Sequence, residues 1–437
     1  MASPSIPLES VRGTRDFYPD DILIRDWLFD IWRRICKSYA YKEYDAPVVE
    51  HALLWNAKSG DDILNEMFTL EKEGVQLVLR PEMTPTLARM VMNCYKTTTQ
   101  PIRWFSLPQC WRYETTARGR KREFYQLNVD FLANEKNIKA EIEIFQLIVD
   151  MLNTFLLTNH DVVIRLSDRR ILQNLTEKFN IPEAQFAKTC NLIDKINKLS
   201  KQDFNDMLHK EIGLSHEQIE EIHQIVAIKD PNDLTKHLPN AKELIDELNQ
   251  LFYVLGQLGI SEWFELDLSV VRGLSYYTGI VFEGFFKNSD MKRAILGGGR
   301  YDKLLATYGG DPLPAVGLGM GDVVLLDVLN ERGLIPKLSH KLDYIVIPFD
   351  ESLFIPATKI AKQIRSYNQN IHVELYASNK YKLKNALDYA NRIQANYAII
   401  IAPQEYLNNQ IIIKNMNTHK QHIIHITQIT QITQLKL

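Results

Sequence analysis

The sequence predicts an α/β protein in three parts, and three patterns along the chain indicate this. Residues 1–167 and 263–333 mix strand-like runs with helical periodicity, which predicts one α+β domain on a mixed, mostly antiparallel sheet. Residues 168–262 have helical periodicity with many charged and amide side chains, typical of a helical insertion. Residues 340–437 alternate strands with helices, the pattern of a small α/β domain. A chain of 437 residues is also longer than one compact domain usually is.

The composition limits the classes of partner and cofactor. The chain has 51 basic and 54 acidic residues and a formal charge of −3, so contact with nucleic acid must come from local basic patches. The cysteines form no CxxC pair and have no nearby histidine at metal-ligand spacing; they are Cys36, Cys94, Cys110 and Cys190. We therefore expect neither structural zinc nor a disulfide framework.

No targeting or membrane segment is predicted. Residues 1–9 lack the basic and apolar stretches of a secretion signal, and no later apolar run approaches the length of a membrane span. We therefore expect a cytoplasmic protein without a membrane partner.

The first hundred residues predict two helices and two strands. Residues 21–39 repeat apolar side chains at helical spacing, with acids early and bases late, as suits the helix dipole. Residues 41–50 are strand-like and contain Pro47, which belongs at an edge, a strand start or an interface. A short apolar strand at 76–79 leads through 80–86 into the second helix.

Residues 104–131 predict a long β-hairpin with one apolar and one polar face, joined by a polar connection. Side chains of equal parity project from the same face, and this face gathers Arg112, Glu114, Gln126 and Asp130. A ligand with both charges would satisfy this set, because Asp130 and Gln126 accept from a ring or ammonium and Arg112 binds phosphate. The alternative is a solvated sheet face.

The rest of the first two parts follows the same patterns. A helix is predicted over 140–155 and a strand over 162–166, and in the insertion Ser215 and Gln218 have the spacing of a capping box. After the insertion, strands are predicted at 264–270, 294–302 and 314–321, followed by a helix from 322.

The last part predicts a βαβαβ order. Strands are expected at 344–348, 372–376 and 397–401, with helices at 355–367 and 382–392, so the strands should be mainly parallel. The tail repeats Ile-Thr-Gln three times from Ile426, which favours a terminal edge strand or a disordered end.

The segment 271–283 concentrates ligand-binding chemistry. It contains Arg272, Tyr276 and Tyr277 with two glycines, at the end of a predicted strand. An arginine there can direct its planar fork at a carboxylate or phosphate, while tyrosines supply apolar walls with polar tips. The alternative is a surface arginine beside core aromatic residues.

Two further motifs point to phosphate or to close backbone approach. Residues 118–122 hold four cations in five residues and should attract phosphate, although solvated basic loops are common. The glycines at 297–299 let a strand approach a ligand or another strand closely, but they match neither a P-loop nor a GxGxxG turn.

Taken together and in order, these motifs resemble those of histidyl-tRNA synthetases, which are class II aminoacyl-tRNA synthetases. Pro47 stands where the first class II motif has its interface proline, and 105–130 resembles the second motif. The remaining similar segments are 80–84, an amino-acid-binding turn; 272–277 and 294–304, two histidine-specific signatures; and the C-terminal domain, which resembles an anticodon-binding domain.

The resemblance implies a role for each candidate residue. Glu82 and Thr84 would hold the α-amino group of histidine, Gln126 would contact the amino acid, and Asp130 with Tyr277 would read the imidazole. Met83, Tyr276 and Arg272 complete the implied histidine site. Arg112 would bind the α-phosphate of ATP, Glu114 the adenine, and Arg120 the nucleotide, with Arg272 and Arg112 as the catalytic residues.

The implied function is formation of histidyl-adenylate and transfer of histidine to tRNA(His). ATP is the implied co-substrate, Mg²⁺ its companion and a homodimer the implied assembly, with no metal ligands supplied by the protein. Because negative charge accumulates at the α-phosphorus during adenylate formation, arginines fixed on either side are an effective electrostatic solution.

Three positions depart from the family pattern. Asp130 replaces a common Glu and Ser275 a common Asp, which are small changes. The third departure is Val324, where the third motif has an arginine that contacts the ATP γ-phosphate. We expect other arginines, such as those of the hairpin connection, to supply this contact.

Three rival interpretations stay open at this point. The chain could be a catalytically weak regulatory paralogue, a synthetase-like protein that only binds tRNA, or a synthetase for another amino acid. The C-terminal domain and the Arg272 signature argue against the first rival. Tyr276, Tyr277 and Asp130 argue against the third.

Overall fold

The structure is a computed structural model that describes residues 7–56, 61–272, 276–378 and 381–431. Contacts divide the chain into two units, Met1–Pro336 and Lys337–Leu437. The helical region predicted as an insertion belongs to the first of these units. None of the described helices is long and apolar enough to cross a membrane.

The first unit contains twelve strands within the described residues. They are β1 (Lys42–Glu43), β2 (Val49–His51), β3 (Phe68–Lys72), β4 (Val75–Leu79), β5 (Ile102–Ser106), β6 (Gln109–Trp111), β7 (Glu123–Leu132), β8 (Val162–Asp168), β9 (Phe264–Leu266), β10 (Ile280–Phe286), β11 (Leu296–Arg300) and β12 (Ala315–Gly321).

The helices of this unit surround its sheets. They are α1 (Pro19–Ser38), α2 (Leu53–Asn56), α3 (Asp61–Glu66), α4 (Thr84–Cys94), α5 (Lys139–Thr154), α6 (Arg169–Lys178), α7 (Phe186–Ile193), α8 (Lys201–Ile212), α9 (His216–Val226), α10 (Lys242–Gln257), α11 (Leu304–Thr307) and α12 (Asp322–Glu331).

The main sheet runs in the order β1-β5-β7-β12-β11-β10-β8-β9, with β6 paired to β7. Its pairs are antiparallel except β1 with β5 and β8 with β9, which are parallel. This confirms the predicted mixed, mostly antiparallel sheet. A second sheet of three strands has the order β2-β4-β3, and its strand β3 was not predicted.

The two faces of the main sheet differ, as the alternation in β7 predicts. Leu127 and Val129 join α1 and α5 in the largest apolar core. On the opposite face, α4 and α11 pack with Tyr276, Tyr277 and Tyr301 in a smaller cluster. Gln126 and Asp130 have the parity of this second face, so the polar set lies between the strands and the smaller cluster.

Two predicted strands are shorter than expected. The strand expected at 41–50 is divided into β1 and β2. The strand expected at 264–270 ends at Leu266, because Asp267 Oδ1 accepts hydrogen bonds from the backbone N (3.1 Å) and Oγ (2.6 Å) of Ser269 and closes a turn. The alternating apolar side chains that suggested a strand are nevertheless buried there.

The helical region shows the predicted capping box at the start of α9. Ser215 Oγ accepts a hydrogen bond from Gln218 N at 3.3 Å, and Gln218 Oε1 accepts one from Ser215 N at 2.9 Å. Both bonds satisfy backbone N–H groups that the first helical turn leaves without partners.

The second unit is a five-stranded sheet with helices. Its elements are β13 (Tyr344–Pro348), α13 (Phe354–Tyr367), β14 (Val373–Leu375), α14 (Leu383–Arg392), β15 (Tyr397–Ile401), α15 (Pro403–Leu407), β16 (Gln410–Asn415) and β17 (Gln421–His425). The sheet order is β14-β13-β15-β16-β17. The predicted β13, β14 and β15 are parallel, whereas β16 and β17 add antiparallel pairs that the sequence did not reveal.

The Ile-Thr-Gln tail was predicted wrongly where it is described. Ile426–Gln431 is a 3-10 helix, neither an edge strand nor a disordered end. Ile429 is fully buried and belongs to the core around α13, so apolar burial fixes this segment. The two edges of the sheet are β14 and β17.

Candidate active site

A cavity of about 810 Å³ opens over the polar face of the central strands. This volume is within the range that small-molecule sites usually have. Its lining includes five of the predicted site residues and one acid not predicted as a site residue: Arg112, Glu114, Arg120, Gln126, Arg272 and Glu283. Two strands that bear glycines, β11 and β12, lie beneath it.

Four glycines form a two-by-two patch on these adjacent strands, which we call the glycine floor: Gly297, Gly299, Gly317 and Gly319. Gly297 pairs with Gly319, and Gly299 pairs with Gly317. Residues paired directly in an antiparallel ladder project to the same face, and so do residues two apart on one strand. All four positions therefore lack a side chain on the same face of the sheet as Gln126 and Asp130.

Each glycine of the floor makes room for one predicted site residue. A β-carbon at Gly297 would overlap Arg272 Nη1, and one at Gly319 would overlap Gln126 Nε2. The same addition at Gly317 would lie 2.5 Å from Asp130 Oδ1.

A β-carbon added at Gly299 would lie 2.9 Å from Tyr277 Cδ1. The paired register therefore places Asp130 and Tyr277 over neighbouring glycines, and Gln126 and Arg272 over the other two. The glycine run predicted close approach, and here side chains approach the backbone.

Arg272 is fixed by its backbone and by two partners. Its φ is 59°, in the left-handed region, which for a non-glycine residue is a strained conformation often found at ligand sites. Nη1 forms a salt bridge with Glu283 Oε1 at 2.9 Å, and Nη2 donates to Tyr277 Oη at 3.5 Å. Burial alone would lower the pKa of Arg272, but the interactions with Tyr277 and Glu283 outweigh this effect and raise it.

The expectation that a strand leads directly into Arg272 was wrong, because the chain turns at Asp267 before reaching it. Ser275 and the two residues before it, predicted as part of the same signature, lie outside the described residues.

Glu82 lies in the turn before α4 and is almost fully buried. Its Oε2 accepts a hydrogen bond from Tyr276 Oη at 3.0 Å, while Oε1 has no donor among the described residues. Burial raises the pKa of Glu82, and Arg112, Tyr276 and Arg272 oppose this shift. Met83 and Thr84 follow it, also buried, and Thr84 is the first residue of α4.

The turn that carries Glu82 is held by two arginines. Arg80 Nη1 donates to Ala46 O at 2.7 Å and Nε donates to Gln109 O at 3.0 Å. Arg112 Nε donates to Pro81 O at 3.0 Å, and its guanidinium lies 5.3 Å from the ring centroid of Phe124. The hairpin and the turn are therefore joined at the cavity.

Asp130 has a partner that sequence reasoning missed. Tyr301 Oη donates a hydrogen bond to Asp130 Oδ1, and Asp130 Oδ2 has no donor among the described residues. Burial raises the pKa of Asp130 to about 7, although the bond from Tyr301 acts in the opposite direction. Tyr301 lies two residues after the glycine run, so its proximity to Asp130 could have been inferred only by placing that strand in the same sheet as the hairpin.

Glu114 lies between two of the predicted nucleotide-binding cations. Its Oε2 forms a salt bridge with Arg120, and its Oε1 lies 3.9 Å from Arg112 Nη1. The other arginines of the basic connection have different partners. Arg118 pairs with Glu331, and Arg122 stacks 3.7 Å from the ring centroid of Tyr113. Only part of the basic cluster therefore faces the cavity.

The motifs found in the sequence match those of a known family. The family profile described as histidyl-tRNA synthetase matches residues 13–321, which include all the predicted site residues. The chain belongs to the histidyl-tRNA synthetase family. A second profile, described as anticodon binding domain, matches residues 343–434. The resemblance inferred from the sequence is confirmed.

Curated proteins named histidine–tRNA ligase are similar to this chain over most of their own length. The chain is 39% identical over 420 residues to the chloroplastic/mitochondrial histidine–tRNA ligase of Arabidopsis thaliana, covering 95% of this chain and 85% of that protein. It is 34% identical over 423 residues to the histidine–tRNA ligase of Pyrococcus abyssi, with 95% and 96% covered.

The fold also agrees with solved structures of the histidyl-tRNA synthetase family. The crystal structure of histidyl-tRNA synthetase from Nostoc sp. PCC 7120 superposes with a TM-score of 0.78 at 23% identity, covering 98% of this chain and 100% of that one. At this identity the likeness shows the fold alone.

The described residues hold no cluster of three or more His, Cys, Asp and Glu side chains that could bind a metal ion. Of the four carboxylates that line the cavity, Glu114 and Glu283 are each paired with an arginine that also lines it, and the other two are Asp194 and Asp322.

Proposed function

We propose that this chain is a histidine–tRNA ligase that activates L-histidine with ATP and transfers it to tRNA(His). One observation carries most of the argument. Three acceptor atoms, Glu82 Oε1, Gln126 Oε1 and Asp130 Oδ2, are buried with no hydrogen-bond donor among the described residues. Buried polar atoms are normally paired, so this set suits a ligand that brings several N–H donors.

Histidine has the donors that these acceptors lack. Its ammonium group would bind Glu82 and Gln126, and Thr84 lies beside Glu82 at the start of α4. Its imidazole would lie between Asp130 and Tyr277, over Gly317 and Gly299 of the glycine floor. Met83 and Tyr276 would supply apolar walls.

The carboxylate of histidine would then lie toward Arg272. In the proposed reaction a carboxylate oxygen attacks the α-phosphorus of ATP, the bond to the bridging oxygen breaks, and pyrophosphate leaves. Arg272 and Arg112 would stabilise the negative charge that develops between them. Both guanidiniums are held in place before the reaction, Arg272 by Glu283 and Arg112 by Pro81 O, so little reorganisation is needed.

ATP would place its adenine near Glu114 and its phosphates near Arg112 and Arg120. Mg²⁺ would enter with ATP as part of the substrate and neutralise the departing pyrophosphate. The positive side chains and the phosphates match in charge, and the cavity volume of about 810 Å³ accommodates a nucleotide with an amino acid.

The domain assignment is part of the proposal. Residues 1–167 and 263–333 would form the catalytic domain, 168–262 the helical insertion and 340–437 the anticodon-binding domain. The similarity of 343–434 to anticodon-binding domains supports the last assignment, and with it tRNA as the partner.

A homodimer is proposed on a separate observation. The small sheet β2-β4-β3 and the adjoining α2 expose large apolar side chains: Val49, Leu53, Leu70 and Val75. Leu53 is 77% exposed. Apolar side chains gathered in one region of a surface mark an interaction site, and Pro47 lies two residues before the start of β2.

The test is ATP–pyrophosphate exchange by the purified full chain with each of the twenty amino acids in turn, followed by charging of tRNA(His). Exchange with histidine alone is the expected result. No exchange with any amino acid would reject the enzyme, and exchange with a different one would reject the histidine assignment.

Arg272→Ala tests the catalytic assignment, with Arg33→Ala as a matched control on the surface of α1. Arg272→Ala should reduce the kcat for exchange by at least about 100-fold while the protein stays folded and the control keeps full activity. Near-normal turnover by Arg272→Ala would remove this residue from its proposed role.

A further inference from the structure

Val324 presents an apolar side chain to the cavity beside the proposed nucleotide site. It lies in the first turn of α12, is mostly buried and lines the cavity together with Arg112, Glu114 and Arg120. An isopropyl group cannot pair with phosphate oxygens. A cation near Val324 must therefore come from another part of the chain.

Arg293 lies close to Val324. It belongs to the connection 287–295 between β10 and β11, and it also lines the cavity. Two backbone hydrogen bonds of Ile295 fix the end of that connection to β10 and to the end of β12. Ile295 N donates to Gly284 O at 2.9 Å, and Gly321 N donates to Ile295 O at 3.2 Å. Gly321 immediately precedes α12, so Arg293 is held close to the start of the helix that carries Val324.

Gly119 shows how close the two side chains are. A β-carbon on Gly119 would lie 3.2 Å from Val324 Cγ2 and 3.3 Å from Arg293 Cδ. Both side chains therefore lie against the same point of the basic connection between β6 and β7. The φ of Gly119 is 71°, a conformation that glycine adopts without strain, so the connection can pack there.

The charges around Arg293 are not balanced. Among the described residues no carboxylate forms a salt bridge with it, and Glu114, the nearby acid, is already paired with Arg120. Burial lowers the pKa of Arg293, and the like charge of Arg120 lowers it further, while Glu114 acts in the opposite direction. Two cations beside one carboxylate favour a polyanion.

We propose that Arg293 binds the β- and γ-phosphates of ATP and replaces the cation that Val324 does not supply. This assignment rests on the proposed function, because it names a residue of the same nucleotide site. Arg112 would hold the α-phosphate, where the reaction occurs, and Arg293 would hold the end of the triphosphate that leaves as pyrophosphate.

The test compares Arg293→Ala and Arg293→Lys with Lys303→Ala. Lys303 is exposed and lies outside the cavity lining. Its substitution by alanine removes the same charge from the same unit, so this variant is a matched control. Arg293→Ala should raise the KM for ATP in pyrophosphate exchange by about tenfold or more, with the KM for histidine changed by less than about twofold. Arg293→Lys should be intermediate, because a lysine keeps the charge but loses the fork.

Equilibrium binding without turnover separates this proposal from the proposed function. Arg293→Ala should bind ATP about tenfold more weakly than the unmodified chain but bind AMP equally well, because AMP lacks the phosphates that Arg293 would contact. A chain that binds ATP in this way but never exchanges pyrophosphate would reject the proposed function and support the role of Arg293.

Three outcomes would overturn the assignment. They are an unchanged affinity for ATP in Arg293→Ala, an equal loss of affinity for AMP and ATP, and an equal rise of the KM values for ATP and histidine. The second and third would show that Arg293 shapes the whole cavity. Absence of any ATP binding by the unmodified chain would reject both proposals.

Discussion

The guanidinium of Arg272 occupies the space that a side chain at Gly297 would need. Gly297 faces Glu283 in the next strand, and Glu283 forms the salt bridge that holds Arg272. One strand pair therefore supplies both the space and the partner for this arginine. The position of the proposed catalytic group is decided by the sheet as well as by the segment that contains it.

Gly297→Ala should reduce activity without unfolding the protein. The added methyl group would displace Arg272 from its place over the sheet, and a displacement of about 1 Å can cost about 100-fold in rate. The kcat for histidine-dependent pyrophosphate exchange is the measurement, with circular dichroism to verify folding. Gly256→Ala is the control, because an added β-carbon there contacts nothing within 4 Å. Equal activity of the two variants would contradict the importance of this space.

The stability of the folded chain should fall as pH rises from about 4 to 7, because of Asp130. Its pKa rises from 3.8 to about 7 on burial, so in this range the folded state keeps a proton that the unfolded state has released. The stabilising contribution is complete below pH 3.8 and is lost as pH rises through about 7. Asp130→Asn should remove the part of this dependence that Asp130 contributes, whereas Asp322, whose pKa burial raises to about 6, keeps its own part.

Urea unfolding of the unmodified chain and of Asp130→Asn at several pH values measures the effect. The slope of the free energy of unfolding against pH should differ between these two proteins by no more than about 1.4 kcal/mol per pH unit. Tyr301→Phe serves as a second comparison, since it removes the hydrogen bond that lowers this pKa and should move the transition upward. Parallel pH profiles of all three proteins would show that Asp130 is not the group responsible.

The ion pair between Arg300 and Glu141 should be important for stability. Both side chains are at most 2% exposed, and Arg300 Nη2 lies 2.5 Å from Glu141 Oε2. Glu141→Gln would remove the more buried of the two carboxylates that pair with Arg300, since Asp302 Oδ1 also lies 3.1 Å from Arg300 Nη1. It should lower the free energy of unfolding by about 3 kcal/mol. Denaturant unfolding is the measurement.

Glu220→Gln is the control for that comparison. Glu220 pairs with Lys201, and both side chains are more than half exposed, so its loss should cost less than about 1 kcal/mol. Similar costs for the two substitutions would mean that the buried pair contributes no more than a surface pair.

The sequence predicted most of the elements because their patterns are local. The helix α1, the hairpin of β5 and β7 and the capping box of α9 each depend on periodicity or on residues a few positions apart. The parallel strands of the second unit were equally clear from their alternation with helices.

The errors and omissions came from interactions between distant segments. The apolar alternation after Leu266 is explained by burial of a turn, and Ile429 is buried although its neighbours are polar. Two site contacts were missed for the same reason. The contact of Tyr301 with Asp130 and the position of Arg293 beside Val324 depend on strand register and loop packing, which no local pattern encodes.

The salt bridge between Glu114 and Arg120 has a consequence for selectivity. A phosphate that bound Arg120 would break its salt bridge with Glu114. Part of the free energy gained by binding would then be offset, because the carboxylate of Glu114 would lose its partner. In the proposed site ATP would compensate for this loss, because the amino group of its base would donate to the released carboxylate. Inorganic phosphate has no base, so it has no amino group separate from its charge to reach Glu114 while its oxygens bind Arg120. The exchange would therefore couple recognition of the two ends of the nucleotide and disfavour free phosphate anions, which are abundant competitors for any cluster of arginines.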